Sequence, residues 1–305
     1  MGRFRVLLKL IIKKLINIKQ LLRSLFKKVN PEEQWNASND IDLKLYARIF
    51  GNDFLHYGYF KEIPDDPEKI SLHDVKQAMQ HYADLIIEHI PAGSKVLDVG
   101  CGTGGLLAKL HGKNIDATGL TPNDMQYNHI KKKHPALSVI KNAFEDLEAS
   151  QNTKFDVIIN SESFQYIDIE KGIAKVKEIL TDNGRWVVID YFRINENASN
   201  QSGHLLKDFE RHLSGSDLEV TEVKDITRNV LPNLAYAYML ASTLAVPLVE
   251  HSIDKFFIRK PFLSYLFGDA VIYYKDKIRL DTLNPKVFER DKKYMLYVIR
   301  RSYSS

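Results

Sequence analysis

Apolar positions are distributed along this chain in three distinct ways. In residues 1–28, Leu7, Ile11, Leu15, Ile18, Leu22 and Leu25 follow steps of four and three, the spacing of one helical face. Lys9, Lys13, Gln20, Arg23 and Lys27 trace the opposite face, with Ile16 interrupting it. From residue 95 the pattern changes to short, mostly apolar runs bounded by turn residues, the mark of buried strands. These runs are 96–99, 115–121, 139–146 (a strand followed by a turn), 155–160 and 185–189, the last entered through the turn Asp182, Asn183, Gly184. Helix-like stretches such as 106–110 separate them, and strands alternating with helices predict a parallel sheet. Runs 218–223 and 293–300 add a sixth and a seventh strand.

The third pattern fills 230–274, where apolar and aromatic residues crowd together. Within it, 230–249 is uncharged and long enough to cross a bilayer, but Pro232, Pro247, Asn233 and the tyrosines argue against a span. Helices capping an apolar pocket are expected instead, with Phe256, Phe257, Phe262, Tyr265 and Phe267 lining it or dipping into a membrane. The expected fold class is α/β: a Rossmann-like, doubly wound seven-stranded sheet with an N-terminal amphipathic helix and a helical cap inserted late in the chain. The divisions are 1–28, the amphipathic helix; 29–94, a linker and N-terminal helical cap; 95–192, the Rossmann-like core; 193–290, strand six and the apolar cap; and 291–305, the final strand.

Charge sharpens this division. The 305 residues carry a formal net charge of +4. Residues 1–28 hold nine lysines and arginines and no acid, so the rest of the chain is net −5. An acidic body argues against nucleic-acid binding. The basic amphipathic front end reads as a helix lying on an anionic membrane surface, with a partner helix or a targeting segment as the other readings. Lysines interrupt any signal-peptide core. One cysteine, Cys101, excludes a disulfide framework and a cysteine-based zinc cluster, and no metal site is expected.

The candidate chemistry begins where strand 96–99 runs into Gly100, Cys101, Gly102, Thr103, Gly104 and Gly105. Strand, glycine turn, helix lets the backbone approach a ligand closely at a helix N-terminus. Dinucleotides and S-adenosylmethionine both use such a unit. Asp98, two residues before the first glycine, discriminates: a carboxylate is unwelcome beside pyrophosphate but suits a cofactor bearing an ammonium and a sulfonium. Thr121 and Gln126 stand where ribose hydroxyls are expected, and Asn142, Ala143, Phe144 and Glu145 where an adenine would sit. Ser161, Glu162 and Tyr166 follow the fourth strand, and Asp190 ends the fifth.

With these motifs in this order, residues 55–192 resemble the class I S-adenosylmethionine-dependent methyltransferases, and within them the cyclopropane fatty acid synthase and sterol and tocopherol C-methyltransferase group. The stretch Gly119, Leu120, Thr121, Pro122, Asn123, Asp124, Met125, Gln126, Tyr127 is similar to the cyclopropane synthases' G-L-T-x-S-x-x-Q-Y, which implies ribose roles for Thr121 and Gln126. Ala143, Phe144 and Glu145 match their G-W-E adenine motif, with Asn142 a rival to Glu145. His56, Tyr57, Gly58, Tyr59 and Phe60 resemble a segment that folds over the methionine end, implying cofactor contact for Tyr57. Cyclopropane synthases carry Phe-Glu-His after strand four; here Phe164, Gln165 and Tyr166 lack that carboxylate, and the active-site cysteine has no equivalent. Methyl transfer is therefore expected rather than cyclopropanation.

The resemblance implies S-adenosyl-L-methionine as cofactor, bound by Tyr57, Asp98, Gly100, Gly102, Gly104, Thr121, Gln126, Asn142, Ala143, Phe144, Glu145 and Ser161. Tyr57, Glu162, Tyr166 and Asp190 are the catalytic candidates, with His56 a further candidate base; His204 and His212 are expected to face solvent. The expected acceptor is hydrophobic, lipid or isoprenoid-like, reached at a membrane surface by a cytoplasmic, peripheral enzyme, with a homo-oligomer as a further expected partner. The competing readings are a methyltransferase for a soluble natural-product intermediate and a catalytically silent S-adenosylmethionine-binding interaction module.

Overall fold

The computed structural model describes residues 48–148, 154–275 and 280–302, together with isolated positions at 17–19, 22 and 45. The chain separates into two compact units, Met1–Ile49 and Phe50–Ser305. In the first, most of the amphipathic pattern of 1–28 lies outside the described residues; Ile18 and Leu22, both on its apolar face, are exposed.

The second unit is built on one sheet. Helix α1 (Leu72–Ile87) precedes it and starts at a capping box, in which Ser71 and Asp74 each satisfy the other's backbone N–H. Strand β1 (Lys95–Val99) leads through the glycine loop into α2 (Gly105–Gly112). Then come β2 (Asp116–Thr121), α3 (Asp124–Lys133), β3 (Ser138–Lys141), β4 (Phe155–Ser161), α4 (Ile169–Ile179) and β5 (Leu180–Arg193). Helix α5 (Leu206–Ser214) and β6 (Leu218–Asp225) follow. The cap comprises α6 (Thr227–Leu240), a π-turn (Ala241–Ala245), α7 (Val246–Arg259) and α8 (Pro261–Lys275), and α9 (Pro285–Asp291) and β7 (Lys292–Arg301) close the chain.

The strand order is β3-β2-β1-β4-β5-β7-β6, with β7 antiparallel to both its neighbours. Order reverses between β1 and β4, so the crevice beyond their carboxyl ends is the ligand-binding position of such a sheet. The seven-stranded expectation holds, and β5 is longer than its apolar run, taking in the expected 182–184 turn. Apolar side chains on the two faces of the strands fix the layers. Phe209 of α5 interlocks with Trp186, Phe164 and Phe192, edge to face and stacked, and Leu107, Ile130 and Val139 form a smaller cluster at β3.

The cap departs from expectation. The two prolines do not divide it: Pro232 sits inside α6, and Pro247 opens α7 directly after the π-turn, whose wider hydrogen bonding absorbs the lost donor. The result is one helix, Thr227–Arg259, long and apolar enough to cross a membrane by length and composition. Its first half is nonetheless part of the globular core, with Val230, Leu234 and Tyr236 buried. Phe256, Phe262, Tyr265 and Phe267, expected to line a pocket or dip into a membrane, are exposed. Helix α7 has no buried residue, and Phe256 lines an open apolar groove on it with Leu248, Val249 and Ile253.

Candidate active site

At the end of β1 the chain turns through Gly100, Gly102 and Gly104, all with positive φ. Gly100 is required twice over: its φ is +71°, and a Cβ there would lie 2.4 Å from the Ser163 Cβ. Ser163 in turn donates from Oγ to the Val99 carbonyl (2.6 Å) and accepts from the Asn160 amide (3.0 Å), which ties the β4 loop to the glycine loop. Beneath this turn Asp98 is buried between Gly119 and Ile159 of the flanking strands. Its Oδ2 has no hydrogen-bond partner within the protein, and burial pushes its pKa up to about 7. A buried carboxylate oxygen without a donor is costly unless a ligand supplies one.

The next two strand ends hold the other cofactor-type residues. At the end of β2 the buried Thr121 hydroxyl donates to Gln126 Oε1 at 2.7 Å, and Asn123 caps α3 by accepting from the Gln126 N–H at 3.0 Å. The pair expected at the ribose is thus a bonded unit. After β3, Asn142 turns its side chain onto the loop itself, accepting from the Ala143 N–H (3.0 Å) and donating to the Asp146 carbonyl (3.1 Å). That leaves half-buried Glu145 as the carboxylate of this loop. Phe144 is buried and packs among Leu97, Val99 and Leu120 in the main core.

A strap crosses the glycine loop. Thr103 donates to the Asp53 carbonyl (2.8 Å), and a Cβ on Gly105 would meet that same carbonyl oxygen at 2.5 Å. The Asp53 carboxylate is anchored on α3 by Lys133 (2.7 Å), His134 (2.9 Å) and His129 (3.1 Å). Further along, the Tyr59 N–H bonds Ala78 of α1, the Phe60 N–H bonds Asn229 of α6, and the Asn233 side chain bonds the Gly58 carbonyl. The string 56–60 is therefore laced to both α1 and α6. His56 is buried, stacked on Tyr82 at 4.2 Å, and donates from Nδ1 to the Tyr57 carbonyl. Burial lowers its pKa to about 4, so it is a neutral ring at physiological pH.

The strap ends at the catalytic candidates. Glu162 sits just beyond β4 with φ +50°, a left-handed conformation that costs a non-glycine residue roughly 1–2 kcal/mol. Its Oε1 accepts from the Tyr57 N–H (2.6 Å) and from the Tyr294 hydroxyl. Tyr294 also bonds Tyr82 (3.0 Å), which receives a bond from Ser161 (3.3 Å). Asp190, fully buried in β5 one residue past that strand's pairing with β4, accepts from the N–H groups of Gln165 (3.0 Å) and Tyr191 (2.8 Å). Burial raises Glu162 to about 7 and Asp190 to about 8, with the Glu162 charge adding to the latter, so two neighbouring carboxyls titrate near neutrality. Tyr166, by contrast, is largely exposed.

The structure adds residues that sequence reasoning missed. Tyr82 and Tyr294 complete the Glu162 network from α1 and β7, and Asp53 anchors the strap; none lies in a recognisable motif. Gln165, where a glutamate was noted as missing, has a buried Oε1 with no protein partner. One expectation is corrected: His204 does not face solvent but binds the carbonyls of Phe164 and Ile167 (3.0 and 2.8 Å), pinning the β4 loop. Its ring also packs edge-on to Phe164, shielding it from water.

With this geometry in place, comparison with known proteins is informative. A family model described as methionine biosynthesis protein MetW matches residues 80–191. The chain is 29% identical over 154 residues to a sarcosine/dimethylglycine N-methyltransferase of Aphanothece halophytica, covering 48% of this chain and 53% of that protein. It is 28% identical to a 2-methyl-6-phytyl-1,4-hydroquinone methyltransferase of Synechocystis, covering 53% of this chain and 50% of the relative. The chain thus spans about half the length of these two relatives. A third, an S-adenosyl-L-methionine-dependent Diels-Alderase of Talaromyces variabilis, is 24% identical over 74% of this chain and 84% of its own length. Among solved structures, the [4+2]-cyclase SpnF superposes with TM-score 0.63 at 18% identity, covering 89% of this chain and 96% of that one. A geranyl diphosphate C-methyltransferase from Streptomyces coelicolor A3(2) gives 0.60 at 14% identity, over 84% and 90% of the two chains. The chain has the class I methyltransferase fold, and the motif resemblance to S-adenosylmethionine-dependent methyltransferases is matched by its sequence relatives.

Proposed function

We propose that this chain transfers a methyl group from S-adenosylmethionine to a hydrophobic, lipid or isoprenoid-like acceptor, as a peripheral protein on the cytoplasmic side of a membrane. One observation carries the cofactor half: the partnerless, buried Asp98 oxygen under three positive-φ glycines. A cationic methionine end supplies the missing donor, whereas a pyrophosphate would add repulsion. The residues present therefore fit S-adenosylmethionine. Bound there, it supplies a methyl group already activated on sulfur.

The protein's task is then alignment and proton handling. Asp98 and the glycine backbone hold the methionine end, Thr121 and Gln126 the ribose, and Glu145 with the Ala143 backbone the adenine side. Tyr57 closes the strap over the crevice and fixes Glu162 through its N–H. Glu162 and Asp190, both poised near neutrality, hold or accept the proton that an acceptor loses as it is methylated. The acceptor class draws support from the phytyl hydroquinone methyltransferase among the relatives, and the membrane site from the basic amphipathic pattern of 1–28.

A second reading has its own support. The S-adenosyl-L-methionine-dependent Diels-Alderase covers more of this chain than either methyltransferase relative does, which supports cofactor-dependent cyclisation as that reading. Incubation with methyl-labelled S-adenosylmethionine and a total lipid extract separates the readings. Label in the lipid fraction is expected. Label only in water-soluble metabolites overturns the lipid acceptor, and cofactor binding without any labelled product overturns methyl transfer.

A further inference from the structure

Helices α7 and α8 form a hairpin whose turn is apolar on the outside. Phe256 and Ile258 before the turn, and Phe262, Tyr265 and Leu266 after it, are all exposed, with Tyr265 at 87% and Ile258 at 78%. A monomer in water does not ordinarily expose five large apolar side chains within eleven residues of chain. The charges around them are ordered. From 255 to 268 the chain carries Lys255, Arg259 and Lys260 and no acidic residue. Acids bracket this stretch on both helices: Asp254, paired with Lys275 at 3.0 Å, and exposed Asp269.

From these observations we infer that the α7–α8 turn is a membrane-docking tip that inserts into the headgroup region of an anionic bilayer. Depth favours docking over spanning. Seven residues separate Phe262 from Asp269, which at 1.5 Å per residue is roughly 10 Å of apolar helix. That matches the roughly 5–10 Å to which interfacial elements bury, with acids stopping further entry. The three cations sit where headgroup phosphates would meet them, each contributing on the order of 1 kcal/mol near an anionic surface. A span is opposed by the other end of the same helix, where Asn233 bonds the Gly58 carbonyl and Val230 and Leu234 are in the core.

This inference deepens the membrane-surface reading and adds a contact independent of 1–28. It also supplies a connection, because the helix that carries the tip begins by holding the strap over the crevice through Asn229 and Asn233. A hydrophobic acceptor leaving the bilayer at the tip would have a continuous helical wall leading towards the site.

The test is co-sedimentation of the full chain with phosphatidylcholine vesicles, with and without phosphatidylglycerol. The intact protein should bind the anionic vesicles. Arg259→Glu combined with Lys260→Glu should weaken that binding by roughly tenfold or more, given the per-charge contribution above. Phe262→Ser combined with Tyr265→Ser should weaken it comparably on a folded protein, checked by thermal melting. Unchanged binding by both double variants overturns the inference. So does a variant that leaves vesicle binding intact but converts a dimer to a monomer in size-exclusion chromatography, since the tip would then be covered by a second copy. S-adenosylmethionine affinity, measured by calorimetry on the same variants, should be unchanged; its absence in the intact protein would sink the methyltransferase reading while leaving the vesicle result to stand alone.

Discussion

The glycine loop and the α7–α8 hairpin treat their surroundings in opposite ways. Around Gly100 nothing can be added: a single Cβ would fall 2.4 Å from Ser163, and nearby Asp98 and Thr121 are almost wholly buried. In the hairpin nothing is enclosed, α7 has no buried residue and Phe262 is 70% exposed. The first region is specified by contacts within the protein, so a change there is felt as lost stability and lost cofactor. The second has its contacts still to make, so a change there should be felt only by whatever it touches.

The largest effect should follow Gly100→Val. It forces a β-branched side chain into positive φ and against Ser163, two penalties of about 1–3 kcal/mol each. Thermal melting should show a destabilised protein, and calorimetry no measurable binding of S-adenosylmethionine. A variant that binds normally would mean that the loop is not a cofactor cradle.

Asp98→Asn cuts more finely, because stability and binding should move in opposite directions. The folded pKa is raised from 3.8 to about 7, so the folded state binds a proton that the unfolded chain has released between those values. Stability from this group is fully present below pH 3.8 and is lost as pH rises through 7, with a ceiling of roughly 4 kcal/mol for such a shift. The asparagine variant, measured without cofactor at pH 8, should therefore be more stable than the parent while binding S-adenosylmethionine more weakly. Urea unfolding at pH 5 and pH 8 checks the first half; equal pH dependence in the two proteins would contradict it.

Glu162→Gln should spare the cofactor and lower turnover by roughly a hundredfold, the lower end of what a positioned base contributes. A base works deprotonated, so activity of the parent should rise with pH through about 7, and that rising limb should be lost in the variant. A pH–rate profile unchanged in shape would remove Glu162 from proton transfer.

These residues also mark how far the sequence could be read. The glycine loop, the Thr121–Gln126 pair and the strap string 56–60 were legible because each is local: the turn geometry, the helix cap and the aromatic run are written in adjacent positions. Glu162 was legible as a candidate, but its setting was not, since its partners Tyr57 and Tyr294 lie 105 and 132 residues away. Only the sheet order, which places β7 beside β5, brings Tyr294 to it. His204 was misread for the same reason, its two carbonyl acceptors being 37 and 40 residues upstream. The hairpin differs. An aromatic-rich helical pattern states that a face avoids water but not whether a pocket or a membrane covers it, and the exposure of these rings argues only against a closed pocket.

The smallest effect sharpens the comparison most. Phe262→Ser removes a large apolar side chain, and in a packed core such a truncation costs about 3–5 kcal/mol. Here the ring is 70% exposed at the start of α8, so little transfer energy is lost and no cavity forms. Unfolding in urea should place the variant within about 0.5 kcal/mol of the parent, the range of ordinary surface changes. A loss of several kcal/mol would show that this ring is buried in solution, as against a second copy. A neutral result leaves the hairpin as a surface whose apolar side chains stabilise nothing within the protein, which is the condition a docking element must satisfy.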